Sequence, residues 1–180
     1  MKKPNLIYIL ADDMGYGDIS ALNENCGFVT PHLDRMAQRG VCFTDAHSTS
    51  AVCTPSRYGI LTGRYNWRSR LKSSVLGGYS EPLIEEGRKT LADMMKANGY
   101  RTAMIGKWHL GMNFAKEEGF KELPNHAACD HIDYSGKIER SPVSNGFDYY
   151  FGISASLDMP PYIYIENDHF TALPDHSRKG

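Results

Sequence analysis

The chain has 180 residues, 41% hydrophobic and 23% charged, with a formal net charge of −1. That length suits one domain of ordinary size, and the balance of apolar residues against charge excludes a disordered, highly charged chain. No apolar run approaches the about 18 residues that cross a bilayer, so no membrane span is expected, and no nucleic-acid partner. Lys2 and Lys3 precede an apolar stretch as in a signal peptide, but the stretch is too short and no cleavage-like site follows. The location is left open between the cytoplasm and export after removal of a leader. The four cysteines, at 26, 42, 53 and 129, contain no C-x-x-C pair, which excludes a zinc ribbon or a thioredoxin-like motif.

In chain order the elements read as α/β. Residues 5–10 form a short, nearly continuous apolar run that suits a buried parallel strand. Thr30 and Pro31 look like an N-cap and first helical residue, Leu33, Met36 and Ala37 supply an apolar face, and Gly40 a stop. A second strand is expected over residues 41–44, and a helix over 55–61 closed by Gly63. Thr90 with Asp93 resembles a capping box opening a helix that stops at Gly99, and a third strand follows over 100–105. Such alternation predicts a mostly parallel sheet with helices on both faces, with ligands bound beyond the carboxyl ends of the strands. Residues 113–147 show no clean period and read as a long irregular surface excursion. The tail from Asp168 is polar and ends without a closing element.

Three groups fall at strand ends. Asp12 and Asp13 follow the first strand, and adjacent carboxylates are tolerable where solvent or a hard cation such as Ca²⁺ or Mg²⁺ screens them; the plainer reading is a solvated turn before Gly15 and Gly17. Cys53-Thr54-Pro55-Ser56-Arg57 places a cysteine near the positive end of a helix, where unpaired N–H groups stabilise an anion. Arg57, four residues on, shares a helix face with it and adds a planar cation. A thiol-phosphatase loop is excluded, because position 59 is glycine. Gly106-Lys107-Trp108-His109 sets a lysine and a histidine two apart at the third strand's end. Between Ala46 and Ser80 there is no acidic residue, while Arg57, Arg64, Arg68, Arg70 and Lys72 are all present, a local cationic patch that would concentrate an anionic substrate.

Together these segments resemble the sulfatase family. Cys53-Thr54-Pro55-Ser56-Arg57 matches the family's modification motif and continues through Leu61-Thr62-Gly63. Gly99-Tyr100-Arg101-Thr102 through Gly106-Lys107-Trp108-His109 matches its second signature. Asp12-Asp13-Met14-Gly15-Tyr16-Gly17-Asp18 and Thr30-Pro31-His32-Leu33-Asp34 match the opening strand, turn and helix. The likeness runs over residues 4–110 and returns over 146–152.

The resemblance implies an alkaline-phosphatase-like α/β fold, with residues 1–180 as the N-terminal part of a catalytic domain, and hydrolysis of sulfate esters. It implies that Cys53 is oxidised by a separate formylglycine-generating enzyme to formylglycine, whose hydrate attacks sulfur and is regenerated by elimination. By the same resemblance Asp12, Asp13 and the modified Cys53 bind a divalent cation, calcium or magnesium. Arg57 holds the hydrate and the carboxylates, Lys107 binds a sulfate oxygen, and His109 assists deprotonation. Ser156 falls where the family has a serine near sulfate. The expected substrate is a sulfated small molecule or glycan.

The family's second metal-ligand pair, with another histidine and lysine, lies downstream of Gly180, so the 180 residues alone are expected to be inactive. Two alternatives stand beside this reading: a phosphonate or phosphodiester hydrolase of the same superfamily, and a non-catalytic fragment. His126, Cys129, Asp130, His131 and Asp133 include zinc-binding residue types, but their spacing fits no standard zinc motif.

Overall fold

The computed structural model describes residues 3–120 and 131–175. The chain divides into two compact units, Met1–His47 and Ser48–Gly180.

Among its described residues the first unit has one helix, α1 (Pro31–Arg39), starting at a proline and ending before Gly40 as expected. Thr30 does not cap it in the usual way. Its hydroxyl donates to the Asp34 carboxylate at 2.8 Å, and Asp34 also accepts from the Ser20 hydroxyl at 2.6 Å and the Ala21 amide at 2.9 Å. These hydroxyls, Ser20 first, hold the Asp34 carboxyl below its ordinary range. The strands expected over 5–10 and 41–44 are not formed. Both runs lack regular structure and are exposed, Ile7 by 86%. An apolar run becomes a strand only by exchanging backbone hydrogen bonds with a neighbour, and these two segments have none with each other. Asp13 closes the first run at φ 59, a left-handed conformation that aspartate tolerates.

The second unit holds the remaining elements. Helix α2 (Cys53–Thr62) begins two residues earlier than the sequence suggests and closes at Gly63 in the left-handed conformation, φ 65. Helix α3 (Leu91–Ala97) carries the expected capping box: the Thr90 hydroxyl accepts from the Asp93 amide and the Asp93 carboxylate accepts from the Thr90 amide. The expected third strand lies slightly later, as β1 (Ala103–Lys107). It pairs in parallel with β2 (Tyr149–Ile153), register Ala103 to Tyr149 through Lys107 to Ile153. Antiparallel strands β3 (Ile165–Glu166) and β4 (His169–Phe170) extend the sheet in the order β1-β2-β3-β4. The α/β class stands, with one parallel pair among the described residues and a hairpin that the sequence reading did not foresee.

Gly106 and Gly152 face each other across β1 and β2, where a Cβ on Gly152 would collide with the Gly106 carbonyl. The buried Tyr150 hydroxyl donates its proton between the carbonyls of Ile153 at 2.8 Å and Gly106 at 3.2 Å. Burial pushes the phenol's pKa well above its ordinary value. The core gathers Tyr58, Leu83, Trp108, Tyr150 and Ile165. Among the described residues, the segment after β1 is irregular apart from a short 3-10 turn at Pro142–Asn145, yet Met112, Phe114, Ile132 and Ile138 are buried in that same core. Among the described residues no helix is long and apolar enough to cross a membrane.

Candidate functional site

Strand β1 and helix α2 build the site. In α/β sheets the carboxyl end of a strand and the amino end of the next helix meet on one side, where N–H groups and loop residues are available to a ligand. Cys53 is the first residue of α2, half-buried at its N-terminus. Lys107, the last residue of β1, reaches back with its ammonium group, Nζ lying 3.1 Å from Cys53 Sγ and 3.0 Å from Ser156 Oγ. Arg57, one helical turn after Cys53, donates through Nη1 to the Lys107 carbonyl at 2.6 Å. Four of the residues singled out from sequence, 53, 57, 107 and 156, are thus joined by direct contacts.

His109 stands beside this group in a different role. It is 1% exposed, at φ 57 in the left-handed region, and its Nε2 lies 2.7 Å from the Leu76 carbonyl. A carbonyl only accepts, so Nε2 carries a proton. Its backbone is tied on both sides: the amide donates to the Ser154 carbonyl at 2.9 Å and its carbonyl accepts from the Thr54 hydroxyl at 2.9 Å. A non-glycine residue in this conformation is strained by about 1–3 kcal/mol, and it persists because those bonds over-determine it. Trp108, between the two polar residues and just past the end of β1, is buried in the core at 1% exposure.

Thr54, the variable position of the motif, is a structural junction that the sequence reading passed over. It is wholly buried, and its hydroxyl also accepts from the Leu76 amide at 3.1 Å. Leu76 is therefore held by both Thr54 and His109. A threonine at the second residue of a helix, with its hydroxyl buried, was the available signal.

Asp12 and Asp13 belong to the first unit. Their donor type fits a hard cation, which takes about six to eight oxygens in the case of calcium. Two carboxylates provide part of such a shell, and among the described residues no group of three or more His, Cys, Asp or Glu forms a cation cage. Of the irregular zinc-type cluster, His126, Cys129 and Asp130 lie outside the described residues.

The N-terminal turn of α2 and the end of β1 thus bring a cysteine, an arginine and a lysine together, with a buried histidine two residues further on. The family model described as Sulfatase matches residues 4–172, and the chain belongs to the sulfatase family. Relatives agree. The N-acetylgalactosamine-6-O-sulfatase of Bacteroides thetaiotaomicron is 43% identical over 172 residues, covering 96% of this chain and 30% of that protein. Arylsulfatase G of Rattus norvegicus is 40% identical, covering 87% and 25%. A solved structure from work on glycosaminoglycan metabolism by Bacteroides thetaiotaomicron superposes with a TM-score of 0.79 at 43% identity, over 96% of this chain and 32% of that one. The crystal structure of Ps i-CgsB in complex with k-i-k-neocarrahexaose superposes at 0.66 with 28% identity, over 86% and 29%. These likenesses carry the alkaline-phosphatase-like α/β fold. The chain spans about a third or less of the length of the proteins it matches.

Proposed function

We propose that this chain carries the nucleophile half of a sulfate-ester hydrolase, working through a formylglycine made from Cys53 by a separate formylglycine-generating enzyme. The observation that carries the reading is the convergence of Lys107 on both Cys53 Sγ and Ser156 Oγ at a helix N-terminus. In this reading residues 1–180 form the N-terminal part of the catalytic domain. The names of the relatives favour a sulfated glycan as substrate.

The Sγ position stands in for the oxygens of the aldehyde hydrate. When formed, that hydrate supplies an oxygen nucleophile regenerated after each turnover. Lys107 lies where its ammonium offsets charge on the sulfate oxygens, and Ser156 shares that ammonium and offers a hydroxyl to the same oxygens. Arg57 braces the nucleophile's helix against β1, and its planar fork suits the oxygens of the hydrate. His109, with Nε2–H committed to Leu76, has Nδ1 as the atom that takes a proton from the hydrate. Asp12 and Asp13 would contribute carboxylate oxygens to a divalent cation, calcium or magnesium, and a cation's charge favours an ionised oxygen nucleophile.

The test uses the whole protein that contains this chain, purified from its native host. Mass spectrometry of the peptide containing position 53 should find formylglycine, an aryl sulfate should be hydrolysed faster than a matched aryl phosphodiester, and chelation should slow turnover. A thiol at 53 with undiminished turnover, or a phosphodiester rate above the sulfate rate, would overturn the reading.

A further inference from the structure

Helix α2 carries two parallel stripes at i, i+4 spacing. One is Cys53 and Arg57, which face Lys107. The other is Thr54 and Tyr58, one residue round the helix and fully buried, Tyr58 at 0% exposure. Residues four apart lie one above the other on a helix, so the second stripe is a rail set about 100° from the functional one.

The upper end of that rail is the Thr54 junction to His109 and Leu76. The lower end is Tyr58, whose hydroxyl lies 3.0 and 3.1 Å from the two oxygens of Glu85. A phenol is the donor and the carboxylate accepts. Two guanidinium groups hold that carboxylate in turn, Arg64 at 3.2 Å and Arg88 at 3.2 Å, and Arg64 also reaches the Tyr58 hydroxyl at 3.4 Å. Arg64 follows directly on Gly63, the residue that ends α2. The helix is therefore fastened to Glu85 from its middle and from just past its end. Burial and the adjacent carboxylate together raise the Tyr58 pKa, keeping the hydroxyl protonated and a donor.

A helix pinned on one stripe at two levels can neither rotate about its axis nor slide along it. Rotation is the motion that would lengthen the 3.1 Å contact of Cys53 with the Lys107 ammonium and break the Arg57 bond to the Lys107 carbonyl. We propose that Glu85 is a positioning residue of the sulfatase reaction, acting through Tyr58 to set the rotation of α2 and hence the aim of residue 53 at Lys107. This rests on the reading of the site given above.

The test uses the whole protein and three variants: Tyr58→Phe, which keeps the ring and removes the donor; Glu85→Gln, which keeps an acceptor and removes the charge; and Glu85→Ala. Each is measured for kcat and KM on a small aryl sulfate per formylglycine-bearing molecule, with the melting midpoint recorded alongside. Displacement of reacting groups by about an ångström costs up to about a hundredfold in rate. Tyr58→Phe and Glu85→Ala should therefore lower kcat by between about ten- and a hundredfold with KM within about twofold. Glu85→Gln should recover part of that rate, because its carbonyl still accepts from Tyr58. The Tyr58→Phe/Glu85→Ala double variant should fall no further than the worse single one, since both act through one contact.

A lowered melting midpoint with kcat per modified molecule unchanged would make the cluster merely structural and overturn the proposal, as would additive losses in the double variant. Where a variant does not fold, the recovery by Glu85→Gln and the split between kcat and KM in Tyr58→Phe decide. Absence of turnover by the wild-type protein would sink the reading of the site as well, whereas wild-type turnover with unaffected variants sinks this proposal alone.

Discussion

Replacing Lys107 with methionine isolates the electrostatic part of the proposed chemistry. Methionine keeps an unbranched stem of similar volume, so the packing of β1 against α2 should survive. The ammonium it removes lies 3.1 Å from Cys53 Sγ. At an effective dielectric of about 20, a unit charge at that range interacts with a second one by about 5 kcal/mol. Part of that interaction is already made with the bound sulfate ester, and only the excess in the transition state speeds the reaction. A loss of about 2.7–4 kcal/mol is therefore expected, comparable to removing one oxyanion donor, or about 10²–10³ in kcat/KM. Lys107→Arg should recover little, because a planar fork does not occupy the place of a compact ammonium between Cys53 and Ser156. The assay is aryl sulfate hydrolysis by the whole protein, normalised to formylglycine content by peptide mass spectrometry. A loss below about fivefold in Lys107→Met with modification intact would refute the reasoning, as would full activity in Lys107→Arg.

Two further outcomes follow from the frame that holds the site. Gly152→Ala forces a Cβ into the Gly106 carbonyl and should cost about 1–3 kcal/mol in chemical denaturation; an unchanged midpoint would mean that the β1–β2 pairing is looser than its register implies. Asp148 accepts from Lys96 at 2.6 Å and from the Thr102 amide at 3.0 Å, and Lys96 foremost lowers its carboxyl below 3.8. A group whose folded pKa is depressed stabilises above its unfolded value and loses that contribution as pH falls through the folded one. Asp148→Asn should therefore be less stable than wild type at neutral pH, the gap closing as pH falls below 3.8; a gap that is constant with pH would sink that assignment.

What was legible in the sequence was local. The Thr90–Asp93 capping box, the glycine closing α2 and the proline opening α1 act over three or four residues, and each was found where its chemistry put it. The α2–β1 site was legible because two compact signatures bring 53, 57, 107 and 109 to one strand end. The β3–β4 hairpin was not, because strands of two residues have no period to read. Residues 5–10 had the right composition for a strand, but composition does not provide a hydrogen-bonding neighbour. The packing of Met112, Phe114, Ile132 and Ile138 into the core escaped notice because an irregular backbone buries apolar residues without any spacing. Tyr58 and Glu85, 27 residues apart, meet only through the fold.

The Arg57 hydrogen bond to the Lys107 carbonyl has a mechanical consequence. Lys107 grips α2 twice, at Cys53 through its side chain and at Arg57 through its main chain. Any breathing of the sheet that displaces the end of β1 therefore carries the helix along with it. Ammonium and nucleophile are thereby coupled to the same strand end, while the Tyr58–Glu85 contact sets how the helix is turned as it follows.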